Sequence, residues 1–170
     1  IELHFIDNLL PGYFWIFPLA NGTANVGLGI RSDKVSKEKL NLKKLLADII
    51  ENHPTISPRF KNANLNSNVA GYGLPLGSKK RKLSGDNYLL IGDAASLIDP
   101  FTGEGIGNAM MSGMLAAEHI VKSNTENSFS EKFNSTYDKL VYKRLWSELS
   151  LSRKMQQLVK YPWLFNLVVN

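Results

Sequence analysis

The chain has 170 residues, of which 44% are hydrophobic and 21% are charged, and it contains no cysteine. This composition is typical of a globular domain and excludes disulfides, thiolate nucleophiles and cysteine-ligated zinc. The formal net charge is +5, but no aromatic residues interleave the basic run at 79–82, so nucleic-acid binding is not predicted. The histidines at positions 4, 53 and 119 share no metal-ligand spacing, so no metal site is predicted.

Two strands are predicted first, over residues 13–18 and 24–30. In the first strand, aromatic residues alternate with other apolar residues, so both faces are apolar and are predicted to be covered. Asn21-Gly22 lies between the two strands and tolerates the positive φ angles of a hairpin connection.

The aromatic face of the first strand has two interpretations. It is formed by Tyr13, Trp15, Phe17 and the following Pro18. One interpretation is the lining of a long apolar substrate cavity, and the other is the core of the sheet. These residue types are usually buried, so the residues alone favour the core.

A helix is predicted over residues 37–52, with Ser36 as its cap and His53-Pro54 at its end. Its apolar stripe consists of Leu42, Leu45, Leu46, Ile49 and Ile50. Residues 62–77 are predicted to form an irregular strand, with glycines and a proline near its end.

The basic run at 79–82 is flanked by turn residues and is predicted to be a solvated loop between two strands. The alternative is a contact for anionic lipid headgroups or for a phosphate. With no cysteine in the chain, the protein is predicted to be cytoplasmic, and a peripheral contact with the membrane stays open.

A buried strand over residues 88–92 is predicted to deliver Asp93 to its carboxyl end. In open α/β sheets, ligands lie outside that end, where a carboxylate accepts hydrogen bonds from ligand hydroxyls. The structural alternative for Asp93 is an Asx turn or the cap of a short helix.

Three glycines, Gly103, Gly105 and Gly107, follow Pro100 and open a helix predicted over residues 104–122. They do not form the dinucleotide fingerprint, which requires glycine where this chain has Asn108 and which follows its strand directly. The glycines instead predict a helix start without side chains, suited to an oxygen-rich planar group or a phosphate. A structural turn is the alternative, and Glu104 is interpreted as favouring the positive helix end.

A second helical tract is predicted from Ser128, where Ser-Phe-Ser-Glu fits a capping box. Its predicted core residues are Phe133, Tyr137, Leu140, Val141, Leu145 and Leu149. The apolar stretch at 161–169 is too short to span a membrane and is predicted to pack. The order of the elements predicts an α+β fold, or an incomplete α/β fold.

Two motifs together resemble the flavin-dependent geranylgeranyl reductase family, within the wider p-hydroxybenzoate hydroxylase-like flavoproteins. The run from Gly92-Asp93-Ala94-Ala95 through Asp99-Pro100 to Asn108 is similar to the second flavin motif of that group. Tyr13-x-Trp15-x-Phe17-Pro18 resembles the Y-x-W-x-F-P motif of the reductases, and Asn25-Val26-Gly27-Leu28-Gly29 also fits. The resemblance covers residues 11–120.

The resemblance implies an FAD-dependent oxidoreductase that reduces carbon–carbon double bonds of prenyl lipids, with electrons from NAD(P)H or ferredoxin. It implies that Asp93 binds the ribityl or pyrophosphate part of FAD. The residues implied to line the isoalloxazine ring are Pro100, Gly103, Gly105, Ile106, Gly107 and Asn108. The residues implied to hold the prenyl chain are Tyr13, Trp15, Phe17 and Pro18. No proton donor is implied, so no catalytic residue is assigned.

The resemblance also implies three regions. These are a substrate-binding antiparallel sheet with one helix over residues 1–85, a second FAD-contact strand, loop and helix over 86–123, and C-terminal helices over 124–170. The N-terminal G-x-G-x-x-G of the family is absent from this sequence. The 170 residues are therefore predicted to be the later part of a longer flavoprotein, inactive in isolation and binding FAD weakly or not at all.

Two other functions stay open. One is a flavin monooxygenase-type enzyme, against which the Y-x-W-x-F-P motif argues. The other is a non-catalytic domain that uses the glycine-rich helix start to bind an anionic ligand or a partner protein.

Overall fold

The fold is given by a computed structural model that describes residues 1–159, 161 and 163. Residues 162 and 164–169 of the predicted apolar segment therefore lie outside the described residues. The chain divides into two compact units, residues 1–73 and residues 74–170. The larger antiparallel sheet belongs to the first unit and the long helices to the second, which confirms the predicted α+β fold class. The finer division into the regions 1–85, 86–123 and 124–170, which the family resemblance implies, remains a prediction.

The first unit contains a three-stranded antiparallel sheet in chain order. Its strands are β1 (Glu2–His4), β2 (Gly12–Pro18) and β3 (Ala24–Ile30). Both predicted strands are confirmed, whereas the three residues of β1 are too few for a detectable alternation. In the β2–β3 connection, Asn21 and Gly22 have φ angles of 62° and 69°, so the predicted positive-φ connection is also confirmed.

Three helices follow the sheet: α1 (Ser32–Glu38), α2 (Leu42–Asn52) and α3 (Ser57–Phe60). The prediction of one helix over 37–52 is wrong at its start. Lys39 adopts the left-handed conformation (φ 51°) and ends α1. The cap of α2 is Asn41, whose side chain accepts a hydrogen bond from the Lys44 N–H at 3.1 Å, and not Ser36. The predicted end at His53 is confirmed.

The core of the first unit lies on one face of the sheet. Its buried members are Leu9, Phe14, Ile16, Leu46, Ile49 and Ile56. Burial of each such side chain stabilises the fold by about 1.5–3 kcal/mol relative to exposure. Within the predicted stripe of α2, Leu46 and Ile49 are buried, whereas Leu42 is 37% exposed.

Residues 62–77 do not form the predicted strand. They are turns and irregular backbone, apart from Leu76, which pairs with Ile98 in an isolated parallel bridge. Asparagine occupies four of the first seven positions of this segment. Because asparagine favours turns over strands, the segment lacks the residue types that a pleated ladder selects.

The second unit combines a two-stranded ladder with two long helices. The elements are β4 (Ser84–Gly85), β5 (Tyr88–Leu89), α4 (Ile106–Thr125) and α5 (Glu131–Leu158). The predicted buried strand over 88–92 is wrong in length and in burial: β5 ends at Leu89, and Tyr88 and Ile91 are 47% and 45% exposed. Gly92 (φ 51°) then begins a short 3-10 helix, Gly92–Ala95. The helix predicted over 104–122 is confirmed with shifted ends.

Helix α5 begins two residues later than the predicted capping box requires. Its cap is Ser130, whose hydroxyl accepts a hydrogen bond from the Phe133 N–H at 3.4 Å, so the prediction of a cap at Ser128 is wrong. The core of the unit is formed by Leu83, Ala95, Leu97, Ala116, Tyr137, Val141, Leu145 and Leu149. Leu140, predicted to be core, is 46% exposed. Within the described residues, the structure contains no helix whose length and hydropathy would allow it to cross a bilayer.

Candidate functional site

The turn at Gly92 brings the end of the strand region against helix α4. The buried Gly92 N–H donates a hydrogen bond to the Ser112 hydroxyl at 3.0 Å. A Cβ added at Gly92 would lie 2.9 Å from the Ala109 Cβ. Glycine at this position therefore supplies both the positive φ and the space for close packing on α4. Ser112 was not predicted, although it lies one helical turn after Asn108.

This turn places Asp93 beside the start of α4. The Asp93 side chain is exposed. A Cβ added at Gly105 would lie 3.3 Å from Asp93 Oδ1 and 3.1 Å from Ile98 Cγ1. The structure therefore brings the strand-end carboxylate and the glycine helix start together, and a side chain at position 105 would crowd the space between them.

The start of α4 is not free of side chains. Glu104 Oε1 accepts a hydrogen bond from the Gly107 N–H at 2.9 Å, so the expectation of a bare helix start is wrong at Gly107. The interpretation of Glu104 as favouring the positive helix end agrees with this contact. Helix geometry provides no intrahelical acceptor for the N–H groups of Ile106 and Asn108, which belong to the first turn. The Asn108 side chain donates instead to the Leu97 carbonyl at 2.7 Å.

The loop between Asp93 and α4 is held by its own carboxylate. Asp99 Oδ1 accepts hydrogen bonds from the Phe101 N–H at 2.9 Å, the Thr102 N–H at 2.8 Å and the Thr102 hydroxyl at 3.0 Å. Gly103, with a φ of 76°, completes the turn. These contacts fix the backbone that leads from Pro100 to the helix start.

Helix α5 also holds the loop between Asp93 and α4 in place. The Ser152 hydroxyl donates to Asp99 Oδ2, and the Gln156 side-chain amide donates to the Pro100 carbonyl. Neither Ser152 nor Gln156 was predicted. They follow the loop by more than fifty residues, and no local pattern marks them.

Tyr137 fixes the approach to Asp93. Its side chain is fully buried, and its hydroxyl donates to the Leu90 carbonyl at 2.8 Å. Burial raises the pKa of Tyr137 to about 12, so the hydroxyl stays protonated and remains a donor. The sequence indicated a core role for Tyr137 but not this hydrogen bond.

The aromatic face of β2 lies on the side of the sheet opposite its buried Phe14 and Ile16. Tyr13, Trp15 and Phe17 are all half-buried, so the interpretation of this face as sheet core is wrong. The ring centroids of Tyr13 and Trp15 are 6.2 Å apart, and those of Trp15 and Phe17 are 6.0 Å apart. Pro18 is exposed at the end of the strand.

Trp15 lies flat on the neighbouring strand because glycine stands opposite it. Trp15 pairs with Gly27 in the β2–β3 register, and a Cβ at Gly27 would lie 2.3 Å from Trp15 Cζ2. The indole N–H donates to Asn25 Oδ1 at 2.8 Å. The aromatic face is thus a fixed, partly exposed apolar surface of the first unit. The segment from Asp93 to Asn108 belongs to the second unit.

Comparisons with known proteins agree on one family. A family model for the geranylgeranyl reductase catalytic domain matches residues 3–71. The digeranylgeranylglycerophospholipid reductase of Thermoplasma volcanium is 38% identical over 141 residues, which are 82% of this chain and 34% of that protein. The reductase of the same name from Methanococcus vannielii is 35% identical over 162 residues, 93% of this chain and 40% of that protein.

A solved structure is similar over almost the whole chain. It is that of a geranylgeranyl bacteriochlorophyll reductase-like protein from Thermoplasma acidophilum, with a TM-score of 0.80 and 31% identity. The match covers 98% of this chain and 41% of the solved chain. The present chain therefore spans between a third and about two fifths of the length of these proteins.

Proposed function

The chain belongs to the geranylgeranyl reductase family, and we propose that it is part of an FAD-dependent oxidoreductase that reduces carbon–carbon double bonds of prenyl lipids. The observation that carries the flavin assignment is the Asp93 carboxylate beside the glycine start of α4. The substrate class rests on the aromatic face of β2 and on the relatives, which are named as reductases of a digeranylgeranyl glycerophospholipid.

The residues at the start of α4 fit a flavin. Because Gly105 has no side chain, the helix start can lie close to the Asp93 carboxylate, whose Oδ1 would be 3.3 Å from a Cβ at that position. The first-turn N–H groups of Ile106 and Asn108 suit a ring carbonyl oxygen, and the exposed Asp93 carboxylate suits ribityl hydroxyls. In this proposal, Pro100, Gly103 and Gly107 complete the lining. When bound, FAD supplies the hydride for the reduction.

The chain contributes electrostatics and rigidity to this site. The positive end of the α4 dipole favours negative charge on a ring placed at Ile106. The contacts of Asp99 with its own loop, and those of Ser152 and Gln156 with that loop, limit the movement of the backbone. A preorganised site requires such support, since a loosely held loop cannot keep its N–H groups aimed at one oxygen.

The aromatic face of β2 provides the proposed surface for the prenyl chain. Tyr13, Trp15, Phe17 and Pro18 offer apolar area along one strand, and an isoprenoid chain that covers them removes both surfaces from water. The proposal includes NAD(P)H or ferredoxin as the electron donor and a peripheral contact with the membrane.

The two assignments are tested with the native protein that contains this chain. Asp93→Ala is expected to lower flavin content, measured by absorbance, whereas Glu118→Ala, which removes an exposed carboxylate of α4, is expected to leave it unchanged. Normal flavin content in Asp93→Ala would contradict the assigned role.

Trp15→Ala is expected to retain flavin but to raise the KM for a long-chain prenyl lipid, measured by anaerobic reoxidation of the reduced enzyme. An unchanged KM would contradict a substrate role for the aromatic face. Oxygen-dependent hydroxylation without double-bond reduction would favour the monooxygenase alternative. Stoichiometric flavin retained on residues 1–170 alone would contradict the expectation of weak binding.

A further inference from the structure

The basic run at 79–82 is an exposed loop, as predicted, and its backbone is held against helix α5. The Arg81 N–H donates to the Tyr142 hydroxyl oxygen at 2.7 Å, and the same hydroxyl donates to the Arg81 carbonyl at 2.9 Å. Two residues later, the Leu83 N–H donates to Asp138 Oδ2 at 2.9 Å. The backbone of the run is therefore fixed, while its four cationic side chains remain exposed.

Helix α5 adds two lysines to these cations. Lys139 and Lys143 are exposed and lie one helical turn apart. Together with the loop they border an open cleft of about 520 Å³, whose lining residues are Lys80, Arg81, Asp138, Lys139, Tyr142 and Lys143. Among the described residues that line the cleft there are thus four cations and a single carboxylate, and one oxygen of that carboxylate already accepts the Leu83 N–H.

The cations differ in what they contact. Lys80 Nζ lies 5.5 Å from the centroid of the Tyr142 ring and 5.2 Å from that of Trp146, so aromatic side chains hold Lys80 at the edge of the cleft. Lys82 instead pairs with Glu131 at 2.7 Å, and this hydrogen bond raises the pKa of Lys82. The Glu131 carboxylate therefore balances the charge of Lys82, which is not one of the residues that line the cleft.

We propose that this cleft binds the phosphate-bearing headgroups of anionic membrane lipids and holds the protein at a lipid surface. A phosphate oxygen accepts hydrogen bonds from ammonium and guanidinium groups, and the fixed backbone at Arg81 reduces the entropy lost on binding. The excess of cations over carboxylates attracts a negatively charged leaflet. The choice of a lipid headgroup over other polyanions rests on the proposed function, because the relatives are named for a glycerophospholipid substrate.

The proposal is tested by co-sedimentation of the native protein with vesicles of phosphatidylcholine, alone or mixed with phosphatidylglycerol. Binding is expected with the mixed vesicles only and is expected to weaken as salt is raised. Lys139→Gln combined with Lys143→Gln is expected to lower the partition coefficient about 25-fold, since each basic side chain at such a surface contributes about fivefold. The matched control, Lys43→Gln with Lys44→Gln, removes the same charge from exposed positions of α2 and should change binding less than twofold.

Three results would overturn the proposal: no binding to mixed vesicles, equal binding to both vesicle types, or an equal loss in the control variant. Displacement by soluble glycerol phosphate at the concentration of the lipid phosphate would assign the cleft to a free anion instead. Circular dichroism of both variants checks that the helices are intact.

The vesicle assay involves no turnover, so its failure is distinguishable from failure of the proposed function. Reduction of a prenyl lipid in detergent, without vesicle binding, would contradict the membrane contact alone. Vesicle binding without any reduction would contradict the reductase alone.

Discussion

Replacing Gly27 by alanine tests whether the Trp15 indole is held flat on strand β3. The added Cβ would lie 2.3 Å from Trp15 Cζ2 and 2.7 Å from Trp15 Cη2. Carbon atoms in contact lie about 3.5–4.0 Å apart, so the indole must move by about 1.2 Å. That movement breaks the hydrogen bond from the indole N–H to Asn25 Oδ1, which measures 2.8 Å.

Three contributions decide the size of the effect. Overpacking costs about 1–3 kcal/mol, and the lower end applies because the indole is half-exposed and has room to move. The lost hydrogen bond costs about 1 kcal/mol. Alanine recovers about 0.5–1 kcal/mol relative to glycine, because it has less backbone entropy to lose in a strand. Gly27→Ala should therefore lower the free energy of unfolding by about 1–2 kcal/mol.

The assay is urea unfolding followed by the fluorescence of Trp15, in a background where Trp146 and Trp163 are replaced by phenylalanine. Gly27→Ala should lower the urea midpoint and red-shift the emission of the native state, because the displaced indole contacts more water. Gly29→Ala is the matched control on the same strand, since its Cβ would lie 3.9 Å from Trp15 Cζ3, an ordinary contact. Equal midpoints and equal emission for the two variants would refute the packing argument.

Three further predictions concern the contacts that support the two units. Tyr137→Phe leaves the Leu90 carbonyl without the Tyr137 hydroxyl and should lower the free energy of unfolding by about 1–3 kcal/mol. The control, Tyr72→Phe, at a position 91% exposed, should leave the free energy of unfolding almost unchanged. Equal urea midpoints for the two variants would contradict the role of Tyr137. Ser152→Ala removes the donor to Asp99 Oδ2 and should loosen the Asp99 carboxylate, so that the Phe101 and Thr102 amides, which donate to it, exchange hydrogen faster. The control is Ser147→Ala, at an exposed position of the same helix. Equal exchange rates in the two variants would argue against the contact between Ser152 and Asp99. The Arg59 hydrogen bond is the main cause that lowers the pKa of Glu2 from 4.5 to about 2. The stability gained from the charged carboxylate is therefore present above pH 4.5 and lost as the pH falls toward 2. Thermal unfolding measured across this pH range should show the loss in the unmodified protein but not in Glu2→Gln, and the same pH dependence in both would reject the prediction.

Local chemistry was sufficient to predict that a glycine-rich loop opens α4, but not that the chain turns at Gly92. Gly103 takes a positive φ of 76°, and a Cβ at Gly105 would lie 3.1 Å from Ile98 Cγ1, so at this helix start the residues themselves carry the information. The break between α1 and α2 was not predictable in this way. It depends on a left-handed Lys39, a residue type with no preference for that conformation, and on the cap at Asn41.

The aromatic face shows a different limit of sequence reasoning. Alternation along β2 showed that the strand has two apolar faces, but periodicity does not show which face another element covers. The informative residues were on the next strand, where Gly27 and Gly29 stand opposite Trp15 and Tyr13. Glycines opposite large rings indicate a face on which the rings lie flat on the sheet.

Helix α5 carries the contacts that no local pattern predicted, and their order along the helix has a consequence for the proposed functions. Asp138 and Tyr142 fix the basic run, whereas Ser152 and Gln156 hold the loop at Pro100. Asp138 and Ser152 are about 21 Å apart along a regular helix. A single rigid element therefore separates the proposed headgroup cleft from the proposed flavin contact. Charge changes in the cleft should accordingly alter vesicle binding without changing flavin retention.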